Sequence, residues 1–225
     1  MAQEKVLSGV LKEAYTGFDA TIGIQNTEIF TGLEYIEEHR MINEKDKFFG
    51  ENRFRPGTVF YNGEPYFNIP IKYNIFNDVL LVQLPNQRGK SEFKLLPNRL
   101  QGFGLDSHYF VNVWDKDNDF SGIYELIFRS HHIKVLKKYR LNMNKVSGRQ
   151  LVHYEFEPER PKYYFSIDGN YFKLNRENLL RSFPDNRSFI RKSYHKFKKR
   201  EREQKDEVLA MMFENLFKLS NENIE

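Results

Sequence analysis

Between residues 57 and 175 the chain is a succession of short alternating or apolar runs, each bounded by Pro, Gly, Asn or Asp, with no segment of helix length between them. Parallel strands need a crossover of a dozen or more residues, usually a helix, whereas antiparallel strands need only tight turns. The spacing therefore predicts a mainly β fold, an antiparallel meander curling into a half-barrel or sandwich. Asn62-Gly63 is the sharpest turn signal, because both residues tolerate the positive φ of a type I′ hairpin. After it Phe67, Ile69, Ile71, Tyr73 and Ile75 occupy alternate positions, with Asn68, Lys72 and Asn74 between them. Period two predicts one buried face and one wet face. Pro70 falls on the wet register and cannot donate a ladder bond, so this strand is expected at an edge or bulged. "VLLVQL" is apolar on both faces, as in a more central strand, and Pro85 ends it. "SEFKLL", "RLQGFGL", "HYFVNV", "GIYELIFRS", "IKVLKKYRL", "LVHYEFE", "KYYFSID" and, after Asp168-Gly169, "NYFKL" supply the remaining strands.

Aromatic residues make up 16% of the 225, with 21 Phe and 13 Tyr. Flat side chains thus supply much of the buried area, and they favour strands over helices. The density of Tyr, Phe and Asn in the hairpin region is first of all what a half-buried sheet selects.

The chain divides by pattern into three parts. Residues 1–56 are an N-terminal arm with first strands. Val6, Leu7, Val10 and Leu11 have helical spacing interrupted by Gly9; Ile22, Ile24 and Ile29 pin an extended segment; "NEKDKFF" is a charged connector. Residues 57–175 are the meander, and 176–225 are helices packing on the sheet. Asn175 can cap the first helix, with Leu179, Leu180 and Phe183 inward. Pro184 and Asp185 start a second, in which Phe189, Ile190, Tyr194 and Phe197 lie roughly on one stripe. Asp206-Glu207 precede a third, whose Val208, Leu209, Met212, Phe213, Leu216 and Phe217 make a wide apolar face. That face is expected on the protein's own sheet.

The absence of cysteine excludes disulfides, thiolate zinc ligation and thiol catalysis. Asp115, Asp117 and Asp119 resemble the start of an EF-hand loop, but Phe120 stands where its glycine belongs and the bidentate Glu is out of place. His131 and His132, adjacent in an expected strand, would point to opposite faces, so they and His153 form no metal site. No Gly-x-Ser-x-Gly elbow or Gly-rich phosphate loop occurs. These residues predict no enzyme, no metal and no cofactor. Formal net charge is only +4, with cations gathered near the C-terminus. Arg191, Lys192, Lys196, Lys198, Lys199 and Arg200 are the candidate partner-binding residues. Their interleaving with Tyr194 and Phe197 could suit nucleic acid, but those rings lie on the apolar stripe; the plainer reading of the charges is a solvated helix face, and the partner they would suit is an acidic protein surface. Anionic headgroups are the other candidate, and no nucleic acid is expected. No apolar run reaches the roughly 20 residues of a membrane span, which leaves the protein peripheral to a membrane at most.

"GTVFYNGEPYFNIPIKYNIFNDVLLVQLP", "FSGIYELIF", "IKVLKKYRL", "DGNYFKLNRENLLRSFPDN" and the basic C-terminal helix follow in that order. Over roughly residues 54–217 this pattern resembles a group of exported β-rich proteins of diderm bacteria with type IX secretion, a group with no agreed function. The resemblance implies a periplasmic or outer-membrane-associated protein, with Ala2-Gln3 compatible with a mature end left by leader removal. It also implies an accessory subunit of an outer-membrane complex, such as the periplasmic plug of the type IX translocon, with an outer-membrane barrel or secretion component as partner. The expected function is a non-catalytic binding or accessory subunit of a cell-envelope assembly. The alternative is a periplasmic carrier holding a lipid or other apolar ligand in a curled sheet.

Overall fold

The computed structural model describes residues 13, 15–17, 21, 23, 27–42, 44–86, 89–114, 120–148, 151–200 and 204–222. The strands are β1 (Leu33–Glu34), β2 (Arg55–Tyr61), β3 (Glu64–Asn74), β4 (Val79–Asn86), β5 (Gly89–Lys94), β6 (Leu100–Leu105), β7 (His108–Val113), β8 (Gly122–Arg129), β9 (Ile133–Lys138), β10 (Leu141–Ser147), β11 (Val152–Pro158), β12 (Lys162–Ile167) and β13 (Asn170–Lys173). The helices are α1 (Arg176–Ser182), α2 (Arg187–Lys199) and α3 (Lys205–Glu222). The protein is mainly β and antiparallel, with C-terminal helices. Hydrogen bonds run in the order β1-β5-β4-β3-β2-β6-β7-β8-β9-β12-β13, with β10 and β11 paired separately. The two ends of that order do not pair, so the sheet is not closed.

Compact packing divides the chain into two units: Met1–Tyr124 with Tyr139–Arg160, and Glu125–Lys138 with Pro161–Glu225. The helices of residues 176–225, expected to pack on the sheet, fall in the same unit as β9, β12 and β13.

In the first unit β2 to β5 run as a meander, and β6 then returns to the free side of β2. The Asn62-Gly63 turn is as expected, with φ of 53° and 88°. β3, however, lies between β2 and β4 and is no edge. It is bulged. Gly57 faces Ile69 while Val59 faces Tyr66, so Phe67 and Asn68 together oppose one residue of β2, and Asn68 takes φ 56°. The extra residue reverses the alternation, which puts Tyr66 rather than Phe67 among the buried side chains. Pro70 faces Pro56. The β3–β4 ladder begins beyond Pro70, at Ile71, and the β2–β6 ladder beyond Pro56, at Gly57. Neither proline therefore sits where a third strand needs its N–H.

The core of this unit gathers Val59, Tyr61, Ile71, Tyr73, Val82, Phe103 and Phe110 with their neighbours. Phe103 and Phe110 face each other across β6 and β7 and stack at 4.7 Å. Two expectations are corrected. The segment expected as extended contains a 3₁₀ turn, Glu28–Thr31, that buries Ile29 completely; Ile22 and Ile24, like the expected helix through Val6 to Leu11, lie outside the described residues. "IKVLKKYRL" is two strands rather than one. β10 exposes or half-exposes every residue, so its polar sequence has no buried face to contribute to the main sheet. It leaves to pair with β11.

In the second unit β12 pairs back onto β9, Tyr164 facing Leu136. Asn175 caps α1 by accepting from the Asn178 amide at 2.8 Å. A 3₁₀ turn from Pro184 leads into α2. The apolar stripe of α3 lies where it was expected. Leu209, Met212, Phe213 and Leu216 are buried with Ile133, Val135, Phe165, Ile190 and Phe197. The Phe213 ring stands 5.7 Å from that of Phe165. The start of α3 is tied to the sheet as well: Tyr163 donates to Asp206 at 2.7 Å, and Lys137 pairs with Asp206 and with Glu125.

Candidate functional site

The six candidate cations all lie on α2 or at its C-terminal end. Ile190 and Phe197 are its buried positions, and Phe197 meets Tyr163 edge-on at 5.6 Å. Fixing that apolar edge on the sheet turns the charges outward: Arg191, Lys192, Lys196, Lys198, Lys199 and Arg200 are all exposed. Arg200 donates to Gln204 at 3.2 Å. Among the described residues, none of the six is paired with a carboxylate. Tyr194 is half-buried, and burial raises its pKa above the ordinary phenol value, with Arg176 opposing. Its ring and that of Phe197, 5.8 Å apart, are packed inward rather than offered for stacking. Helical spacing separates the cations: Lys192, Lys196 and Lys199 share one stripe, while Arg191 and Lys198 fall on another.

A second concentration of charge, in the first unit, was not foreseen. The expected wet face of β3 is covered at its C-terminal end, where Lys72 is 8% exposed and Asn74 fully buried, while Asn68 is exposed. Residues 47–49 continue the sheet beside β3, through the Phe49 amide to the Tyr73 carbonyl and the Ile75 amide to the Lys47 carbonyl. Lys47 is thereby 1% exposed. Its Nζ donates to Glu37 Oε1 at 2.6 Å and lies 3.2 Å from His39 Nδ1. Tyr35 donates to the other oxygen of Glu37 at 2.8 Å. Lys72 Nζ sits over the rings of Phe48 and Phe54, at 4.2 and 4.6 Å, and donates to Asn52.

The electrostatics follow from this packing. Burial pushes the Tyr35 phenol up, and the hydrogen bond to Glu37 adds to it. Burial alone would raise Glu37, but hydrogen bonds from Lys47, the His39 amide and Tyr35 outweigh it and hold the carboxyl below its usual range. Burial lowers Lys72, against Glu92, Glu37 and Asp46. Burial raises Asp46, against the Phe48 amide. Within the "NEKDKFF" segment read as a charged connector, Lys47 and Phe48 are thus buried, while Glu44 and Lys45 remain exposed. The signal in the sequence was the juxtaposition of Lys47 with Phe48 and Phe49, which a solvated linker does not need. A cavity of about 240 Å³ beside it is lined by Glu34, Tyr35, Ile36, Glu38, Lys47, Asn77, Val79 and Lys94.

Among the described residues, no three His, Asp or Glu side chains converge as metal ligands. The Asp115–Asp119 loop lies outside the described residues. His131 and His132 are not in a strand. They occupy the bend before β9, where their rings meet edge-on at 4.8 Å, and His132 pairs with Asp168 at 2.8 Å. His153 lies in β11, 3.6 Å from Glu155. No described helix is long and apolar enough to cross a membrane. No protein-family model, curated protein or solved structure matches the chain.

Proposed function

We propose that the protein is a non-catalytic binding or accessory subunit whose contact surface is the basic face of α2. One observation carries this reading. The apolar stripe of α3 is used on the protein's own sheet, while all six candidate cations on α2 and at its C-terminal end are exposed and none is neutralised by a described carboxylate. Cations left in this way raise association rates with an acidic surface and make them sensitive to salt. The resemblance stated above supports a cell-envelope assembly as the setting, with the protein in the periplasm or at the outer membrane. A carrier of apolar ligands draws less support, since the cavity beside Lys47 is rimmed by Glu34, Glu38 and Lys94.

Native pull-down from membranes, repeated over a series of salt concentrations, tests the proposal. Reversing Lys198, Lys199 and Arg200 to Glu is expected to reduce partner recovery at low salt and leave the melting temperature nearly unchanged, because exposed charges contribute at most about 1 kcal/mol each. Recovery independent of both salt and the reversals would overturn it.

A further inference from the structure

Beside the basic face, α2 and α3 form a groove of about 230 Å³ lined by Phe189, Ser193 and Lys196 from α2 and Val208, Met211, Met212 and Asn215 from α3. Met211 is 61% exposed there, although its neighbour Met212 is buried. An exposed methionine between two helices is a flexible, polarisable surface that reshapes around an incoming apolar group. The charges around the groove are not symmetric. Lys192, Lys196 and Lys199 share the α2 stripe that borders it, and Lys196 lines it directly. On the α3 side, Glu207 and Glu214 flank Met211 at helical spacing, and Glu214 is neutralised by Lys218 at 2.9 Å.

We infer that this groove receives one large apolar side chain from an acidic segment of a partner protein, whose carboxylates face the lysine stripe of α2. The inference rests on the reading of α2 as the contact surface and goes further: it assigns the partner's chemistry and divides five of the six cations. Lys192, Lys196 and Lys199 act at the groove; Arg191 and Lys198 do not. The apolar side chain supplies the desolvated anchor and the carboxylates supply orientation, the division of labour found where a peptide docks between helices.

The test uses fluorescein-labelled acetyl-EEDLFEE and the same peptide with Leu-Phe replaced by Gly-Gly, titrated with the full chain. The Leu-Phe peptide is expected to bind at least about tenfold more tightly, a difference of about 1.4 kcal/mol. Met211→Glu, at an exposed site and without effect on the melting temperature, is expected to abolish that preference, as is Lys192→Glu with Lys196→Glu. Arg191→Glu with Lys198→Glu is expected to keep it. Equal binding of the two peptides, binding of neither, indifference to Met211→Glu, or equal loss from both charge-reversal pairs would overturn the groove. Tighter binding to vesicles of phosphatidylcholine with phosphatidylglycerol than to the Leu-Phe peptide would also overturn it, in favour of a membrane surface. Equal peptide binding that is still salt-dependent would leave the basic-face reading standing, so the two failures are distinguishable.

Discussion

In the second unit the face of β9 and β12 is covered by Leu179, Ile190, Leu209, Phe213 and Leu216, aliphatic and aromatic side chains from three helices. In the first unit the part of β3 that carries Lys72 and Asn74 is covered by described residues of the segment from Tyr35 to Phe54, which bring a second buried lysine, its carboxylate and a set of rings. Both covers exclude water, by different terms. The helical cover gains free energy in proportion to apolar area. The polar cover holds two ammonium groups out of water and is stable only because each has a specific partner: Glu37 and His39 for Lys47, two rings and Asn52 for Lys72. The helical cover should therefore tolerate conservative apolar exchange. The polar cover should fail when a single partner is lost. It follows that the second unit can devote a whole helix edge to outward charge, since its packing needs none of it.

The largest expected effect lies in the helical cover. Phe213 is fully buried and stands within 6.4 Å, ring to ring, of Phe128, Phe165 and Phe183. Phe213→Ala should lose about 3–5 kcal/mol in chemical denaturation, and Phe213→Leu much less. Similar losses from both would mean that ring geometry rather than buried area holds the helices.

The polar cover gives an asymmetric prediction. Glu37→Leu strands the Lys47 ammonium without a carboxylate at 1% exposure and should cost about 2–4 kcal/mol. Lys47→Met leaves Glu37, whose side chain is 36% exposed, free to take up water, and should cost about 1 kcal/mol or less. Equal costs would show that the pair itself, not the burial of one member, is what matters. The same pair sets an acid response. A carboxyl held below its ordinary pKa contributes stability that is present above the unfolded value, about 4.3, and is lost as pH falls through the folded value. The stability gap between wild type and Glu37→Gln should accordingly narrow as pH drops below about 4. Asp46, raised by burial, works in the opposite direction, so the comparison must be made against the single variant and not against the wild-type acid limb alone.

A further prediction tests the hairpin that precedes β3. Gly63→Val forces a β-branched residue to φ 88° at an open site where a Cβ meets nothing and should cost about 1–3 kcal/mol from backbone strain alone. Equilibrium unfolding indistinguishable from wild type would mean that the turn relaxes to another type, and that the register leading into the buried face of Lys72 is set by the bulge at Asn68 instead.

Features that depend on neighbours within a turn or two were legible in the sequence. The Asn62-Gly63 hairpin, the Asn175 cap, the outward basic edge of α2 and the apolar stripe of α3 each follow from local dihedral preference or from the 3.6-residue period, and the antiparallel architecture follows from the absence of crossovers. Tertiary structure alone decided three other things. The bulge at Asn68 moved Tyr66 into the core and Phe67 to its margin, because register is fixed by pairing with a strand and not by alternation within one. β10 left the main sheet to pair with β11, because a strand that buries no residue gains little by staying, while β11 still buries Phe156. Lys47 and Lys72 were buried, because the segment that covers β3 comes from residues whose polar character, taken alone, reads as solvent-facing. The same limit applies to the groove at Met211. Periodicity placed Phe189 and Met212 on apolar faces, but only the packing of α2 against α3 shows that the space between them is open.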